Sequence, residues 1–232
     1  GGTITVNAKN NGICGKDCVK IADVNITTIK SEGDGIKSNN SEDTSKGYIY
    51  ICGGKINITS TTDAIQAETT LTIEKGEINL KTGGGSENSS KTSGGKDNPQ
   101  WGKWGQEDSS TTEEDTASAK GLKAGGDIKI SNATITTDTS DDSIHSNSNV
   151  TIESGTFNLK SGDDGIHADT STVINNGNIV IEKSYEGIEG SNVTINSGTI
   201  ELTASDDGIN SAGGSDSSSM GGRMGQNSFT EF

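Results

Sequence analysis

One turn recurs eight times along this chain: a polar or acidic residue, a small residue, then Ile or Leu. It reads Asn11-Gly12-Ile13, Asp34-Gly35-Ile36, Asp63-Ala64-Ile65, Lys120-Gly121-Leu122, Asp142-Ser143-Ile144, Asp164-Gly165-Ile166, Glu186-Gly187-Ile188 and Asp207-Gly208-Ile209. From Leu122 onward the apolar anchors stand 22, 22, 22 and 21 residues apart. A fixed period of that size specifies a solenoid, in which each unit buries its apolar residues only by stacking on its neighbours.

What fills each period selects the solenoid. After the anchor comes apolar-x-apolar-x-x-small-x-apolar-x-apolar, as in Val150, Ile152, Gly155, Phe157 and Leu159. The same template takes Ile49, Ile51, Gly54, Ile56 and Ile58, then Leu71, Ile73, Gly76, Ile78 and Leu80, and again Val193, Ile195, Gly198, Ile200 and Leu202. Two alternating pairs across a small residue are two short strands joined by a tight bend. With the strand opened by the anchor, the pattern predicts an all-β, right-handed parallel β-helix of about eight three-strand coils. At the strand spacing of roughly 4.8 Å the rod is about 40 Å long. Ile13, Ile36, Ile65, Leu122, Ile144, Ile166, Ile188 and Ile209 are expected in one internal stack. No Leu-with-Asn ladder, 3.6-residue period or recurring GGxGxD unit is present, so the other common solenoids are excluded.

Only 27% of residues are hydrophobic and 33 are Gly, which in an aperiodic chain would argue for disorder. Periodicity overrules that average, because a β-helix core is one or two side chains wide. One domain is expected over 1–232, with an inserted loop at about 83–119, where the anchors Ile65 and Leu122 stand 57 apart, and a Gly/Ser-rich tail from about 213. No apolar run reaches the ~18 residues that span a membrane. A net charge of −15 opposes binding to nucleic acid. Polar Thr/Asn/Ser faces with few aromatics point to a monomeric extracellular protein, secreted or attached to the cell surface. Any export signal is then removed or outside these residues. Cys14 and Cys18 bracket one turn, so either they form a local disulfide or, with Cys52, the chain carries three free thiols.

The position two residues before the anchor carries the chemistry. It holds Asp34, Asp63, Asp142, Asp164, Glu186 and Asp207, and Asp141, Asp163 and Asp206 double it. Unit charges ~5 Å apart repel by roughly 1 kcal/mol in water and by several times more at a protein surface. Such a ladder needs a countercharge. Asp before Gly also suits a turn on its own, since its side chain bonds nearby N–H groups. For Asp pairs stacked in register, a hard dication held by oxygens from adjacent turns is the stronger reading, and that ion is Ca²⁺. The expected metal ligands are Asp34 with Asp63, and the run Asp141, Asp142, Asp163, Asp164, Glu186, Asp206 and Asp207.

The three-strand coil, the repeated Asp-Asp-Gly-Ile and segments such as Ser154-Gly155-Thr156-Phe157-Asn158-Leu159 resemble the bacterial carbohydrate-binding, polysaccharide-lyase-like parallel β-helix family. Its members are extracellular proteins of cellulose- and pectin-degrading clostridia. The resemblance implies a right-handed helix, bound Ca²⁺ and affinity for plant cell-wall polysaccharide, notably polygalacturonate and cellulose. The expected function is therefore calcium-dependent, non-catalytic binding of an acidic or cellulosic polysaccharide.

Two other readings stand beside it. A pectate-type lyase needs Ca²⁺ against the uronate and a basic residue to take a proton. Lys120, which occupies a ladder position, and Lys123 and Lys37, which follow their anchors beside His145 and His167, are the candidates. Alternatively Lys120 is a built-in countercharge and the other two are solvated. A third reading is a structural or adhesive cell-surface rod, since the fold does not fix function. For sugar contacts the candidates are Trp101 and Trp104 in the inserted loop, outward Tyr48 and Tyr50, and Lys123.

Overall fold

The computed structural model describes residues 1–89, 118–211 and 229–231. They form a parallel β-helix with no α-helix among the described residues; a single 3-10 turn, Ser86–Asn88, lies where the inserted loop begins. Among the described residues, no helix is long and apolar enough to cross a membrane.

Each coil contributes to three faces. The anchor face stacks Ile13–Gly15, Ile36–Ser38, Ile65–Ala67, Leu122–Ala124 and Ile144–Ser146, then the first halves of Ile166–Ile174 and Ile188–Ile195, and ends at Ile209–Asn210. The anchors pair in unbroken register, from Ile13 with Ile36 through to Ile188 with Ile209. A middle face stacks Cys18–Ile21, Tyr48–Ile51, Leu71–Ile73, Ile128–Ile130 and Asn149–Ile152 on the second halves of the two longer strands. Phe229–Glu231 closes that stack beside Asn192–Thr194, so the chain returns from its tail to the end of the helix. The long face is eight strands, from Thr3–Ala8 to Thr199–Ala204.

Coils six and seven depart from the three-strand expectation. There the anchor and middle strands run on as single strands, Ile166–Ile174 and Ile188–Ile195, and in coil six the corner Asp169-Thr170-Ser171-Thr172 carries two β-branched residues that suit extended backbone. The register slips between Ala168 and Ser171, since Ile166 pairs with a residue 22 positions on and Val173 with one 21 positions on. The single-residue shortening of the last period is thus located at this corner.

Ile and Val from all three faces meet in one core, with Phe157, wholly buried, its bulkiest member. The small residue before each anchor is dictated by that core: a Cβ on Gly165 would stand 2.6 Å from the Gly187 carbonyl and 2.7 Å from Ile181. The bend into the long face needs a left-handed residue. Gly76 (φ +135°) and Gly155 (φ +146°) supply it, and where Val24 or Ala133 replaces that Gly, the preceding Asp23 (φ +44°) or Asn132 (φ +46°) takes the left-handed conformation instead.

Candidate functional site

The corner between the long face and the anchor face gathers the acid ladder, and hydrogen bonds fix it from two sides. From the long face, the Ser60 hydroxyl donates to the Thr62 carbonyl at 2.8 Å and that of Thr139 to the Asp141 carbonyl at 2.8 Å, with Thr82 donating to Ala119 in the same way. These hydroxyls belong to a buried column, Ser31, Ser60, Thr82, Thr139 and Ser161, stacked coil on coil. From the next coil, a backbone N–H reaches the ladder side chain itself. Asp34 N–H donates to Asn11 Oδ1 (3.0 Å), Lys120 N–H to Asp63 Oδ1 (2.8 Å), Asp164 N–H to Asp142 Oδ1 (2.9 Å) and Glu186 N–H to Asp164 Oδ1 (3.3 Å). The side chain at this position therefore serves as an acceptor that ties successive coils together.

The remaining oxygens meet basic side chains. The residue after each anchor forms a parallel column, Lys37, Gln66, Lys123, His145, His167 and Glu189. Lys37 Nζ lies 2.7 Å from Asp34, Lys123 Nζ 3.4 Å from Asp63, His145 Nδ1 2.8 Å from Asp142 and His167 Nδ1 3.2 Å from Asp164. Lys120, itself in the ladder, reaches Asp142 at 2.7 Å and Asp141 at 2.9 Å. Lys120 is the built-in countercharge, and Lys37 and Lys123 are partners of the acids, not solvated side chains.

Burial decides how strongly these charges interact. Burial alone would lower the Lys120 pKa, but Asp142 and Asp141 outweigh it and hold the proton more tightly than on a free lysine. Burial alone would raise Asp142, yet Lys120 and His145 keep it well below the usual carboxylate range. One coil further on, a single imidazole faces two acids, Asp164 at 3.2 Å and Glu189 at 2.8 Å. Burial and the neighbouring acids push Asp164 up to about 8, against the hydrogen bond from His167. His167 itself, although burial opposes it, is raised to about 11 by Asp164 and Glu189. Glu189, the nearer acid, stays below its usual range under the pull of His167 despite partial burial. One imidazolium balances one carboxylate, and the deeper acid keeps its proton.

His145 and His167 point away from the core, as alternation requires, yet both are buried; their rings stack at 4.8 Å with 9° between planes. At the C-terminal end Glu186 is raised by burial against hydrogen bonds from Asn210, while Asp206 and Asp207 are exposed. Among the described residues, two groups of side chains converge closely enough to hold an ion: Asp141, Asp142 and Asp163, and separately Asp164, His167 and Glu189, each with ligand atoms within 4.8 Å of one another. The first is all oxygen, the donor chemistry that Ca²⁺ prefers, but Lys120 already lies against two of its three members. Asp34 and Asp63 are engaged by Lys37, Thr62, Lys123 and Ser118.

The aromatic candidates lie elsewhere. Tyr48 and Tyr50 sit on the middle face, half-buried and alternating with buried Ile49 and Ile51 as expected. Lys20 covers the Tyr48 ring at 5.2 Å, and Tyr50 is bonded to Glu74, which pushes its hydroxyl up to about 12. Lys123 is on the anchor face, so these three do not form one site. Trp101 and Trp104 lie outside the described residues. Cys14, Cys18 and Cys52 are free thiols.

Two grooves run beside the acid corner. One, of about 570 Å³, is lined by Lys9, Lys30, Glu32, Thr59, Thr61 and Gly84; the other, of about 410 Å³, by Glu87, Glu182, Lys183, Tyr185 and Thr203. The segment 83–89 separates them, pinned by Ser86 N–H on Asp138 (2.8 Å) and by Lys183 on the Ser86 carbonyl (2.9 Å).

A family model described as carbohydrate-binding domain-containing protein matches residues 1–165 and again 148–228. The chain belongs to this family. Neither the curated proteins nor the solved structures hold a match. Two overlapping matches on one chain are what a repeating carbohydrate-binding domain should give, since a coil-based pattern fits more than one register. Sequence reading set Lys37, Lys123, His145 and His167 just past their anchors but missed their pairing with the acids, and it missed Glu189, which the same 22-residue spacing places in line with Lys123, His145 and His167.

Proposed function

We propose that this carbohydrate-binding domain holds an acidic cell-wall polysaccharide, polygalacturonate or a pectin related to it, without cleaving it. The observation that carries the reading is the distribution of lysines. Among the described residues, only Lys9, Lys20 and Lys30 are outside an ion pair; Lys20 lies over Tyr48, and Lys9 and Lys30 both line the larger groove. A chain of net charge −15 attracts a polyuronate only through local positive charge, because screening confines the general repulsion to about 8 Å at physiological salt. Groove hydroxyls from Thr59 and Thr61 suit sugar hydroxyls. Calcium joins the reading at Asp141, Asp142 and Asp163, where it would share their oxygens with Lys120 and supply the divalent charge a uronate carboxylate prefers.

Cleavage by β-elimination needs a base that gives up its proton near the working pH. Lys120 is held protonated by two carboxylates, which is the opposite of what that step needs, and Lys37 and Lys123 are each ion-paired with a ladder acid. The test is gel retardation in polygalacturonate, with and without chelator, alongside a pull-down on insoluble cellulose. Retardation that weakens at least tenfold in Lys9→Ala/Lys30→Ala is expected, with no ultraviolet-absorbing product. Unchanged retardation in that folded variant would defeat the groove assignment; product formation would make the chain a lyase.

A further inference from the structure

We propose that Asp164, His167 and Glu189 form a binding site for a divalent first-row transition ion of the zinc or cobalt class, fastening the sixth coil to the seventh. Asp164 and His167 belong to one coil and Glu189 to the next, at the register partner of His167. His167 Nδ1 stands 2.8 Å from Glu189 Oε2 and 3.2 Å from Asp164 Oδ2. Ligands bound at about 2.0–2.2 Å to one ion stand roughly 3 Å apart when they occupy neighbouring positions. Both oxygens are therefore spaced from Nδ1 as neighbouring ligands are, and all three atoms lie within 4.8 Å of one another.

Three features distinguish this cluster from a surface patch of acids. Asp164 and His167 are almost fully covered, and the opening lies on the Glu189 side, whose side chain is 17% exposed. The other imidazole nitrogen, Nε2, faces Asp169 Oδ1 at 3.1 Å. That is the carboxylate–histidine arrangement which fixes the tautomer with Nδ1 as the ligating atom and strengthens it as a donor. The neighbouring coil supplies the contrast. His145 repeats the geometry, with Nδ1 at 2.8 Å from Asp142 and Nε2 at 2.9 Å from Asn147, but there the carboxylate already holds the Lys120 ammonium and the outer partner is an amide. In the sixth coil no lysine among the described residues enters the cluster.

A metal at this site gains one imidazole nitrogen and two carboxylate oxygens, and any protons these ligands carry pass to solvent. A nitrogen donor argues against Ca²⁺, which takes oxygens only, and for borderline ions that accept imidazole and carboxylate together. The site shares none of its three ligands with the all-oxygen cluster, although Asp163 of that cluster is the chain neighbour of Asp164 and the Asp164 N–H donates to Asp142.

The experiment uses the untagged chain with Cys14, Cys18 and Cys52 changed to Ser, which removes thiolate binding. Equilibrium dialysis against Co²⁺ near pH 8, followed by elemental analysis and visible absorption, reads stoichiometry and ligand type. One Co²⁺ per chain with nitrogen/oxygen ligand-field bands is expected, retained in a tenfold excess of Ca²⁺. His167→Gln should abolish it, and Asp169→Asn should weaken it 10–100-fold while leaving the three ligands in place. No retained Co²⁺, equal retention by folded His167→Gln, or displacement by Ca²⁺ would each overturn the assignment. If His167→Gln fails to fold, Glu189→Gln at the open rim decides by the same loss or its absence.

Discussion

Lys120→Met removes one buried charge from the acid corner and keeps nearly the same volume, so the loss it causes is electrostatic. The Lys120 side chain is 8% exposed, its partner Asp142 1% and Asp141 26%. Removing one member of a buried pair typically costs about 3–5 kcal/mol, because the other charge is left without compensation. Asp142 keeps the Asp164 N–H and His145, and Asp141 turns partly to water, which puts the expected loss near the lower end, about 3 kcal/mol. For a chain of this length that corresponds to a fall in Tm of roughly 6–12 °C. The pH dependence identifies the cause. In the wild type the depressed pKa of Asp142 contributes stability above the unfolded carboxylate value, lost only as pH falls through the lower folded one. Without Lys120 that pKa rises, the buried carboxylate becomes a cost at neutral pH, and protonation relieves it. The gap between variant and wild type should therefore be widest near pH 7 and narrow toward about pH 4. Urea unfolding followed by circular dichroism at both pH values measures it. A loss under about 1 kcal/mol at pH 7, or a gap that does not change with pH, would refute the reasoning.

His167 and Asp164 make metal-free stability fall with rising pH. Both have folded pKa values above their unfolded ones, about 11 and about 8. His167 contributes stability that is complete below its unfolded value and lost as pH rises through the folded one, and Asp164 becomes costly as it ionises, so the native state holds more protons across this window. Melting temperature in chelator should drop between pH 6 and pH 10, and His167→Gln should flatten the profile; a wild-type curve that rises over that range sinks the assignment. Gly165→Ala drives a methyl toward the Gly187 carbonyl and Ile181, which should cost about 1–3 kcal/mol as overpacking. An unchanged urea midpoint would show that this coil yields as freely as those carrying Ala64 or Ser143.

The fold was legible because one side-chain position, repeated at 22 residues, had to be inside in every coil. Ile13 through Ile209 are aligned in the structure as their spacing required. Fusion of two strands in the sixth and seventh coils was not legible, since Thr170 and Asp169 differ from turn residues elsewhere only by degree of β preference. At the corner, the position of the acids was readable and their state was not. Repulsion along the ladder is answered three residues away by Lys37, Lys123, His145 and His167, which meet the acids only once the chain bends. The buried hydroxyl column from Ser31 to Ser161 escaped notice because Ser and Thr on a polar strand look like surface.

A solenoid turns each local choice into a column, and this links the corner to the groove. An acid that suits one turn is copied into every coil at the strand spacing, so each charge costs more than it would alone and must be met by a cation in register or by the next backbone N–H. Selection for a stable corner thereby consumes Lys37, Lys120 and Lys123 internally. On the long face other lysines pair across strands, Lys55 with Glu77 and Lys81 with Asp138. The column there begins with Asn7, continues through Lys30 to Thr59, and brings no carboxylate opposite Lys30. The positive charge this acidic chain leaves for a ligand is thus a product of where the repeat stops matching acid with base. If the proposed binding of a polyanion uses that charge, placing the missing acid should abolish it without touching the groove's cations. Thr59→Glu sets a carboxylate in register beside Lys30, where an opposite-charge cross-strand pair is stabilising by about 0.2–1 kcal/mol. The variant should melt no lower than the wild type and lose its retardation by polygalacturonate. Retained binding in a chain with that pair formed would place the ligand elsewhere.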